Sequence, residues 1–255
     1  MKNQFVLTPY FIDEYWPELE DLAQEDWVLN KLDLPQGEQQ SRMSLLHEPL
    51  AAFVQETVLR GDRPVSIAGD CCTSIGILAG LQRAKIDPTL IWFDAHGDFN
   101  TWETTPSGFL GGMPLAMLVG RGEQAMPNAV GLRPLTEGHV VLSDGRDLDP
   151  GEKVALEGSS VKHVPDVRWL PKEVLPQGPL YVHFDVDVLN PLAAPAVNYL
   201  APGGPIASDL EQVFRFLAKS GRVTAVSVSA WNPRMDEDGG SREVCMGLVD
   251  TLLGQ

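Results

Sequence analysis

Short apolar runs alternate along the chain with segments in which apolar residues recur at helical spacing. The runs predict strands at Phe5–Thr8, Pro64–Ala68, Thr89–Phe93, Val140–Ser143, Leu180–Phe184 and Val223–Val228. The helical spacing predicts helices at Leu45–Arg60, Ser74–Ala84, Pro114–Leu118, Asp209–Ala218 and Glu243–Leu253. This alternation is typical of a parallel sheet covered by helices on both faces, so we expect an α/β fold. No repeat or composition break divides residues 1–255, and we predict a single domain.

Two of the predicted strands carry closely spaced acidic and histidine residues at their ends. The first set is Asp94, His96 and Asp98, and the second is His183, Asp185 and Asp187. Alternate residues of an extended chain point to one side, so each set shares a face. Open parallel sheets bind ligands beyond the carboxyl ends of their strands. Two facing sets could therefore hold a pair of divalent cations, which would activate water for hydrolysis.

Other interpretations of these acidic residues also exist. A lone Asp-x-Asp motif at a strand end is more often a turn or cap than a metal site, whereas two motifs on core strands favour metal binding. Asp70 follows Gly69 in a turn and is expected to hydrogen-bond the loop backbone rather than a metal. The segment Asp144–Glu152 is interpreted as a charged loop that follows a strand.

Composition narrows the classes of partner. The chain has 255 residues and a formal net charge of -16, which argues against nucleic acid and anionic membrane surfaces. No apolar run is long enough to cross a membrane, and the N-terminus lacks the apolar core of a secretory signal. The three cysteines form no disulfide framework. We expect a cytoplasmic protein that acts on a small molecule.

Four segments together resemble the signatures of the ureohydrolases, the family of arginase, agmatinase and formiminoglutamase. They read Ala68-Gly-Asp-Cys-Cys72, Asp94-Ala-His-Gly-Asp-Phe-Asn100, His183-Phe-Asp-Val-Asp-Val-Leu-Asn-Pro191 and Ala230-Trp-Asn-Pro233. The family signatures are Gly-Gly-Asp-His-Ser, Asp-Ala-His-x-Asp-x-Asn, Ser-Phe-Asp-x-Asp-x-x-Asp-Pro and Glu-x-Asn-Pro. The resemblance spans roughly Pro64 to the C-terminus. It implies a three-layer α/β/α fold and hydrolysis of guanidino or formimino groups at a dinuclear manganese centre.

The resemblance also implies roles for single residues. The implied ligands of two divalent ions, most simply Mn²⁺, are Cys71, Asp94, His96, Asp98, Asp185 and Asp187. Asp94 and Asp185 would bridge the ions. Asp98 would complete one site together with the residue at 71, and the remaining two ligands would complete the other. A hydroxide between the ions would attack the amidine carbon, with Asp98 as the catalytic residue that takes part in proton transfer.

A further match concerns the substrate. The segment Arg146-Asp-Leu-Asp-Pro-Gly-Glu152 resembles a loop of the arginase branch whose second Asp and Glu help bind the α-amino group. Asp149 and Glu152 are therefore the candidates for that role here. Asn100 and Ser107 match positions that help hold the α-carboxylate. An arginine-like amino acid is implied. The alternative is that Asp149-Pro-Gly is simply a turn.

Three positions depart from the family pattern. Cys71 stands where a histidine ligand is usual, Gly111 where arginases have a proton-shuttling histidine, and Ala230 where a glutamate pairs with the guanidinium. A thiolate is softer than Mn²⁺ prefers, and the alternative is that Cys71 is a small buried residue beside a missing metal. Cysteine at this position also resembles a branch that hydrolyses Nω-hydroxyarginine.

These observations predict a manganese-dependent hydrolase that cleaves a C–N bond of a guanidino or amidine compound, with Nω-hydroxyarginine as the specific candidate. One alternative is a formiminoglutamase-like hydrolase of amide or formimino groups. Another is a metal-binding pseudoenzyme that has the fold without turnover. Because family members are often trimers or hexamers, the resemblance leaves a homo-oligomer open.

Overall fold

A sheet of eight strands crosses the protein, and the computed structural model describes all of residues 1–255. The strands of the chain are β1 (Asn3–Thr8), β2 (Tyr10–Phe11), β3 (Glu14–Tyr15), β4 (Val28–Leu29), β5 (Arg63–Ala68), β6 (Thr89–Asp94), β7 (Val140–Asp144), β8 (Lys162–Val164), β9 (Leu180–Asp185) and β10 (Val223–Ser229). The sheet order is β4-β1-β5-β10-β9-β6-β7-β8, and all pairings within it are parallel. β2 and β3 form a separate antiparallel hairpin. All six predicted strands are confirmed, while the short edge strands β4 and β8 were not predicted.

Helices connect most of these strands. They are α1 (Gln39–Leu59), α2 (Ser74–Arg83), α3 (Pro114–Leu118), α4 (Ala125–Ala129), α5 (Pro150–Glu157), α6 (Ala207–Lys219) and α7 (Gly240–Leu253). The five predicted helices are confirmed, although α1 begins well before Leu45. The interpretation of Asp144–Glu152 as a loop is wrong at its end, because Pro150 opens α5. Proline suits the first helical turn, since its missing N–H would have no helical partner there.

The core lies on both faces of the sheet. Along β6, Leu90 and Trp92 pack in one buried cluster, and Ile91 and Phe93 pack in the other. Residues of α1 and α2 complete the first cluster, and residues of α6 and α7 complete the second. The fold is therefore the expected three-layer α/β/α arrangement. None of its helices combines the length and apolar character that crossing a membrane requires.

The strand order brings four carboxyl ends together at the centre of the sheet. β5, β10, β9 and β6 are neighbours in that order although they are far apart in sequence. The chain runs from β5 through α2 to β6. The later strands β10 and β9 lie between β5 and β6, and this gap in the strand order creates a switch point. Crevices of this kind are where open α/β sheets bind ligands. Cys71, Asp94, Asp185 and Ala230 all follow or end these four strands.

The packing of α1 on α2 predicts a stability effect at Gly80. A Cβ at Gly80 would lie 2.5 Å from the carbonyl oxygen of Ala51 and 2.6 Å from Cβ of Val54, so the two helices would have to separate. We expect Gly80→Ala to lower the free energy of unfolding by about 1–3 kcal/mol, measured by urea denaturation. Gly247 is the matched control, because it is also helical and a Cβ there meets nothing. Gly247→Ala should raise stability by about 0.5–1 kcal/mol, and equal effects at both positions would contradict the close contact.

Candidate functional site

A cavity of about 370 Å³ opens at the carboxyl ends of the central strands. Every site residue predicted from the sequence lines it, namely Cys71, Asp94, His96, Asp98, Asn100, Ser107, Asp149, Glu152, Asp185 and Asp187. Other lining residues were not predicted, among them Phe11, Thr105, Phe109 and Asp147. Residues from five separated stretches of sequence thus meet in one place, as the switch point requires.

Potential metal ligands form three clusters; one consists of Cys71, His183 and Asp185, and the other two share Asp94. Ligand atoms of Cys71, Asp94 and Asp98 lie within 4.8 Å of one another, and so do those of Asp94, His96 and Asp187. Asp94 belongs to both of these clusters, which is the position that a bridging ligand requires. Asp185 lies beside the cluster of Cys71, Asp94 and Asp98, where its Oδ2 accepts a hydrogen bond of 2.8 Å from Cys71 Sγ. The six residues predicted from the sequence therefore lie close enough together to include possible ligands of metal ions.

The carboxylates of this site are buried together. Burial raises the pKa of Asp94, Asp98 and Asp185, and the charge of neighbouring carboxylates raises each pKa further. Asp98 Oδ2 is buried without a hydrogen-bond partner. Buried carboxylates are costly unless they are paired or coordinate a cation. Carboxylate and imidazole donors suit hard or borderline divalent ions, so these residues fit such a pair.

His96 and Cys71 respond to this environment in different ways. Burial lowers the pKa of His96, but hydrogen bonds to Asp187 and Asp94 outweigh it and raise the pKa to about 12. The shorter contact joins His96 Nδ1 to Asp187 Oδ2 at 3.0 Å. For Cys71, burial and then the charge of Asp185 raise the pKa of the thiol well above its ordinary value. Cys71 is thus buried, as one interpretation of this cysteine expects, and directed at the acidic cluster, as the other expects.

The acidic residues also shape their own turns. Asp94 Oδ1 accepts the backbone N–H of His96 at 2.7 Å, and Asp185 Oδ1 accepts that of Asp187 at 2.8 Å. Asp98 adopts a φ of 49°, a region that few non-glycine residues enter. The two motifs therefore form turns, and each turn directs the next acidic or imidazole group into the cavity. Turn formation is thus compatible with metal binding.

His183 supports the site from inside the sheet. Its ring stacks on Trp92 with centroids 3.7 Å apart, and burial lowers its pKa to about 3. His183 Nδ1 lies 2.7 Å from Ser227 Oγ, and its Nε2 lies 3.3 Å from Ser229 Oγ, which also contacts Cys71. A neutral imidazole thus belongs to a buried polar chain behind the ligands. The two serines at alternate positions of an apolar strand were the signal in the sequence.

Two further residues hold the loops around the cavity. Asp70 accepts the backbone N–H of Ile12 at 2.7 Å and that of Cys72 at 2.8 Å, which confirms its expected role in the loop backbone. Arg146 was missed by the sequence analysis. Its guanidinium donates to the carbonyl oxygens of Asp187 and Ala201, each at 3.1 Å, and so joins the loop that follows β9 to a second loop.

The residues expected to bind an amino acid contact one another. Glu152 accepts the backbone N–H groups of Phe99 at 2.8 Å and Asp149 at 3.1 Å, and Asp149 is the N-cap residue of α5. Asn100 donates to Asp149 Oδ2 at 2.9 Å. Ser107 lies on an exposed loop and accepts the N–H of Phe109 at 3.2 Å. Asp149 and Glu152 therefore build a helix start as well as lining the cavity.

All three departures from the family pattern lie at this cavity, where Cys71 belongs to the acidic cluster described above. Gly111 is buried, and a Cβ at this position would lie 2.4 Å from Cε1 of Phe109. The ring of Phe109 therefore takes the space of a side chain at 111. Ala230 follows β10 with a φ of 69° and presents only a methyl group to the cavity.

Comparisons with known proteins agree with this geometry. The model of the arginase family matches residues 13–254. Arginase of Bacillus caldovelox is 34% identical over 223 residues, which cover 82% of this chain and 74% of that protein. The N(omega)-hydroxy-L-arginine amidinohydrolase of Streptomyces lavendulae is 29% identical over 251 residues, covering 97% and 85%. The crystal structure of arginase from Bacillus subtilis superimposes with a TM-score of 0.85 at 25% identity and covers 100% of this chain and 99% of that one.

The hydrogen bonds of Glu152 predict its contribution to stability. Glu152→Ala leaves the backbone N–H groups of Phe99 and Asp149 without their acceptor, so we expect a loss of about 1–3 kcal/mol in the free energy of unfolding. Glu157 lies on the same helix but is exposed, and Glu157→Ala should change stability by less than about 0.5 kcal/mol. Chemical denaturation measures both variants. Equal stability of the two would show that Glu152 does not fix the loop that carries Asp98.

Proposed function

The chain belongs to the arginase family, and we propose that it is a metal-dependent hydrolase of a C–N bond in a guanidino or amidine-type small molecule. The observation that carries the proposal is the pair of ligand clusters that share Asp94. The buried carboxylates of these clusters have no cationic partner apart from His96. The cavity beside them is large enough for a small molecule.

The same six residues would hold two divalent cations, for which Mn²⁺ is our candidate. They are Cys71, Asp94, His96, Asp98, Asp185 and Asp187. Bound cations would lower the pKa of a water molecule and so supply a nucleophile near neutral pH. Asp98 Oδ2, which is buried without a partner, is our candidate to accept and hold the proton of that water.

The rest of the cavity would position the substrate and exclude water. His96 is partly exposed, and its hydrogen bond to Asp187 fixes the ring towards the acidic cluster. Glu152 and Asp149 hold the loop of residues 97–100, which carries Asp98, against the start of α5. Both residues would therefore act on the substrate largely through the position of Asp98, in addition to any direct contact with a cationic group.

A finer proposal concerns the substrate. The similarity to an N(omega)-hydroxy-L-arginine amidinohydrolase, together with Cys71, makes Nω-hydroxyarginine a specific candidate. Gly111 offers no general acid for the departing amine. Cleavage of this substrate to hydroxyurea would still expel an alkylamine, whose proton would come from Asp98, the candidate to hold the proton of the water. Formimino compounds are the second class that the fold suggests.

The proposal is tested by metal content and turnover in one preparation. After chelator treatment and dialysis against Mn²⁺, we expect two bound ions per chain by elemental analysis. We also expect release of urea, hydroxyurea or formamide from a panel of guanidino, hydroxyguanidino and formimino compounds. Asp185→Ala should lose both ions and all turnover, because a bridge is removed, whereas Asp250→Ala on the exposed face of α7 should keep both. A protein without bound metal would contradict the proposal, and two ions without turnover would favour the pseudoenzyme.

Cys71 gives a separate prediction about affinity. A thiolate added to four carboxylates would leave the ligands with more negative charge than two divalent ions can balance, and sulfur is a soft donor for Mn²⁺. We expect Cys71→His to tighten Mn²⁺ binding about tenfold, or ~1.4 kcal/mol, in calorimetric titrations. The neighbouring thiol supplies the control, since Cys72 Sγ donates to the carbonyl of Leu110 at 4.0 Å and belongs to none of the clusters of possible metal ligands. Cys72→Ser should bind Mn²⁺ like the wild type, and unchanged affinity in Cys71→His would mean that residue 71 is not a ligand.

A further inference from the structure

A row of aromatic rings runs from the core to the mouth of the cavity. The ring of Trp16, which is buried, stacks on Phe11 at a centroid distance of 4.8 Å. Phe11 lies 6.2 Å from Phe109, and Phe109 lies 5.1 Å from Tyr199. Tyr199 is 49% exposed. We call Phe11, Phe109 and Tyr199 the aromatic wall, because these three rings line the cavity.

The aromatic wall makes the two sides of the cavity chemically different. Of the 20 lining residues, the hydrophobic ones are the three rings of the wall, Ala230 and Cys71. Phe11 follows β1, and Tyr199 lies next to a bridge between Val197 and Trp231 near the end of β10. The acidic residues 147, 149 and 152 follow β7, beyond β9 and β6 in the strand order. Phe11 and Tyr199 therefore come from one side of β9 and β6 in the strand order and the acidic residues from the other, while Phe109 comes from the loop after β6.

The position of Phe109 depends on Gly111. A Cβ at Gly111 would lie 2.4 Å from Cε1 and 2.5 Å from Cζ of Phe109, so any side chain there would push the ring away. The backbone N–H of Phe109 donates to Ser107 Oγ, which fixes the start of this loop. The glycine therefore allows an aromatic ring, rather than a polar side chain at 111, to face the cavity.

The wall also lacks groups that would bind a charged substituent. Ala230 offers a methyl group beside the rings, and no cationic side chain is among the residues that line the cavity apart from His96. A carboxylate held against the wall would lose its hydration without a partner, so the carboxylate of an amino-acid substrate would have to lie away from the rings, at Asn100 and Ser107. A flat apolar group, in contrast, gains from contact with aromatic rings and from removal of apolar surface from water.

We propose that the aromatic wall binds a flat apolar substituent of the substrate, so that the protein prefers aryl-substituted guanidines or amidines to those with short substituents. This inference rests on the proposed function, because the wall belongs to the same cavity. The wall determines specificity, whereas the acidic cluster acts on the C–N bond. Phe109 and Tyr199 are the residues that carry this preference.

Binding of defined probes to the Mn²⁺-treated protein tests the inference. The probes are benzylguanidine, methylguanidine and 4-guanidinobutanoate, and the readout is the dissociation constant, or kcat/KM where a probe is hydrolysed. We expect benzylguanidine to bind about tenfold more tightly than methylguanidine, because one face of its phenyl ring would be buried against the aromatic wall. Phe109→Ala and Tyr199→Ala should each reduce this ratio about threefold or more, with little change for methylguanidine. Both side chains are partly exposed, so these variants retain the core.

Two neighbouring glycines provide the matched control. Gly111→Ala should reduce the aryl preference by displacing the ring of Phe109, whereas Gly112→Ala should retain it, because a Cβ at Gly112 meets no atom within 4 Å. Equal binding of the three probes, or an unchanged ratio in both Phe109→Ala and Tyr199→Ala, would overturn the inference.

The failure of this inference can be distinguished from failure of the proposed function. Bound metal and turnover without aryl preference would refute the aromatic subsite alone. Aryl preference that is lost in Phe109→Ala, in a protein that binds no metal, would support the subsite and contradict the proposed hydrolase.

Discussion

Concentration of buried negative charge at the centre of the sheet is the constraint on which the rest of this structure depends. Asp94, Asp98, Asp185 and Asp187 are each nearly inaccessible to solvent and lie on two adjacent strand ends. The four carboxylates repel one another, and the contacts with His96 and with backbone N–H donors offset only part of this repulsion. The surrounding elements hold these carboxylates in place through parallel pairing, the neutral His183 behind them and the contacts of Glu152 and Arg146. The fold thus keeps together groups that would separate in a free chain.

Much of the fold follows from local patterns in the sequence. β6 and β9 are uniformly buried and rich in β-branched or aromatic residues, so their apolar runs are unambiguous. β4 and β8 are edge strands of two and three residues, too short to give a pattern. α5 was not predicted because it buries only Glu152 and Leu156. One of these is a carboxylate, so the helix shows no apolar face in the sequence. Its proline and N-cap aspartate were the available signal.

The site was predictable to the extent that it depends on spacing within a strand. That spacing describes His183 and Asp185 on β9, whereas β6 ends at Asp94 and turns beyond the strands bring His96, Asp98 and Asp187 into the cavity. The switch point brings the strand ends together. Contacts between distant segments could not be predicted in this way. The aromatic wall joins residues 11, 109 and 199, and its central ring depends on the absence of a side chain at Gly111. Likewise, the two serines of β10 are visible as polar residues of an apolar strand, but their contacts with His183 on the neighbouring strand cannot be predicted locally.

Asp70 has a consequence that extends beyond its own turn. One of its oxygens holds the N–H of Ile12, directly after Phe11, and the other holds the N–H of Cys72, directly after Cys71. Gly69 reinforces this link, since a Cβ there would lie 2.4 Å from the carbonyl oxygen of Tyr10. A single carboxylate therefore couples the first ring of the cavity to the thiol of the acidic cluster. Evolutionary substitutions that reshape the aromatic wall must therefore keep the register of the hairpin formed by β2 and β3. A shift of that hairpin would also displace residue 71.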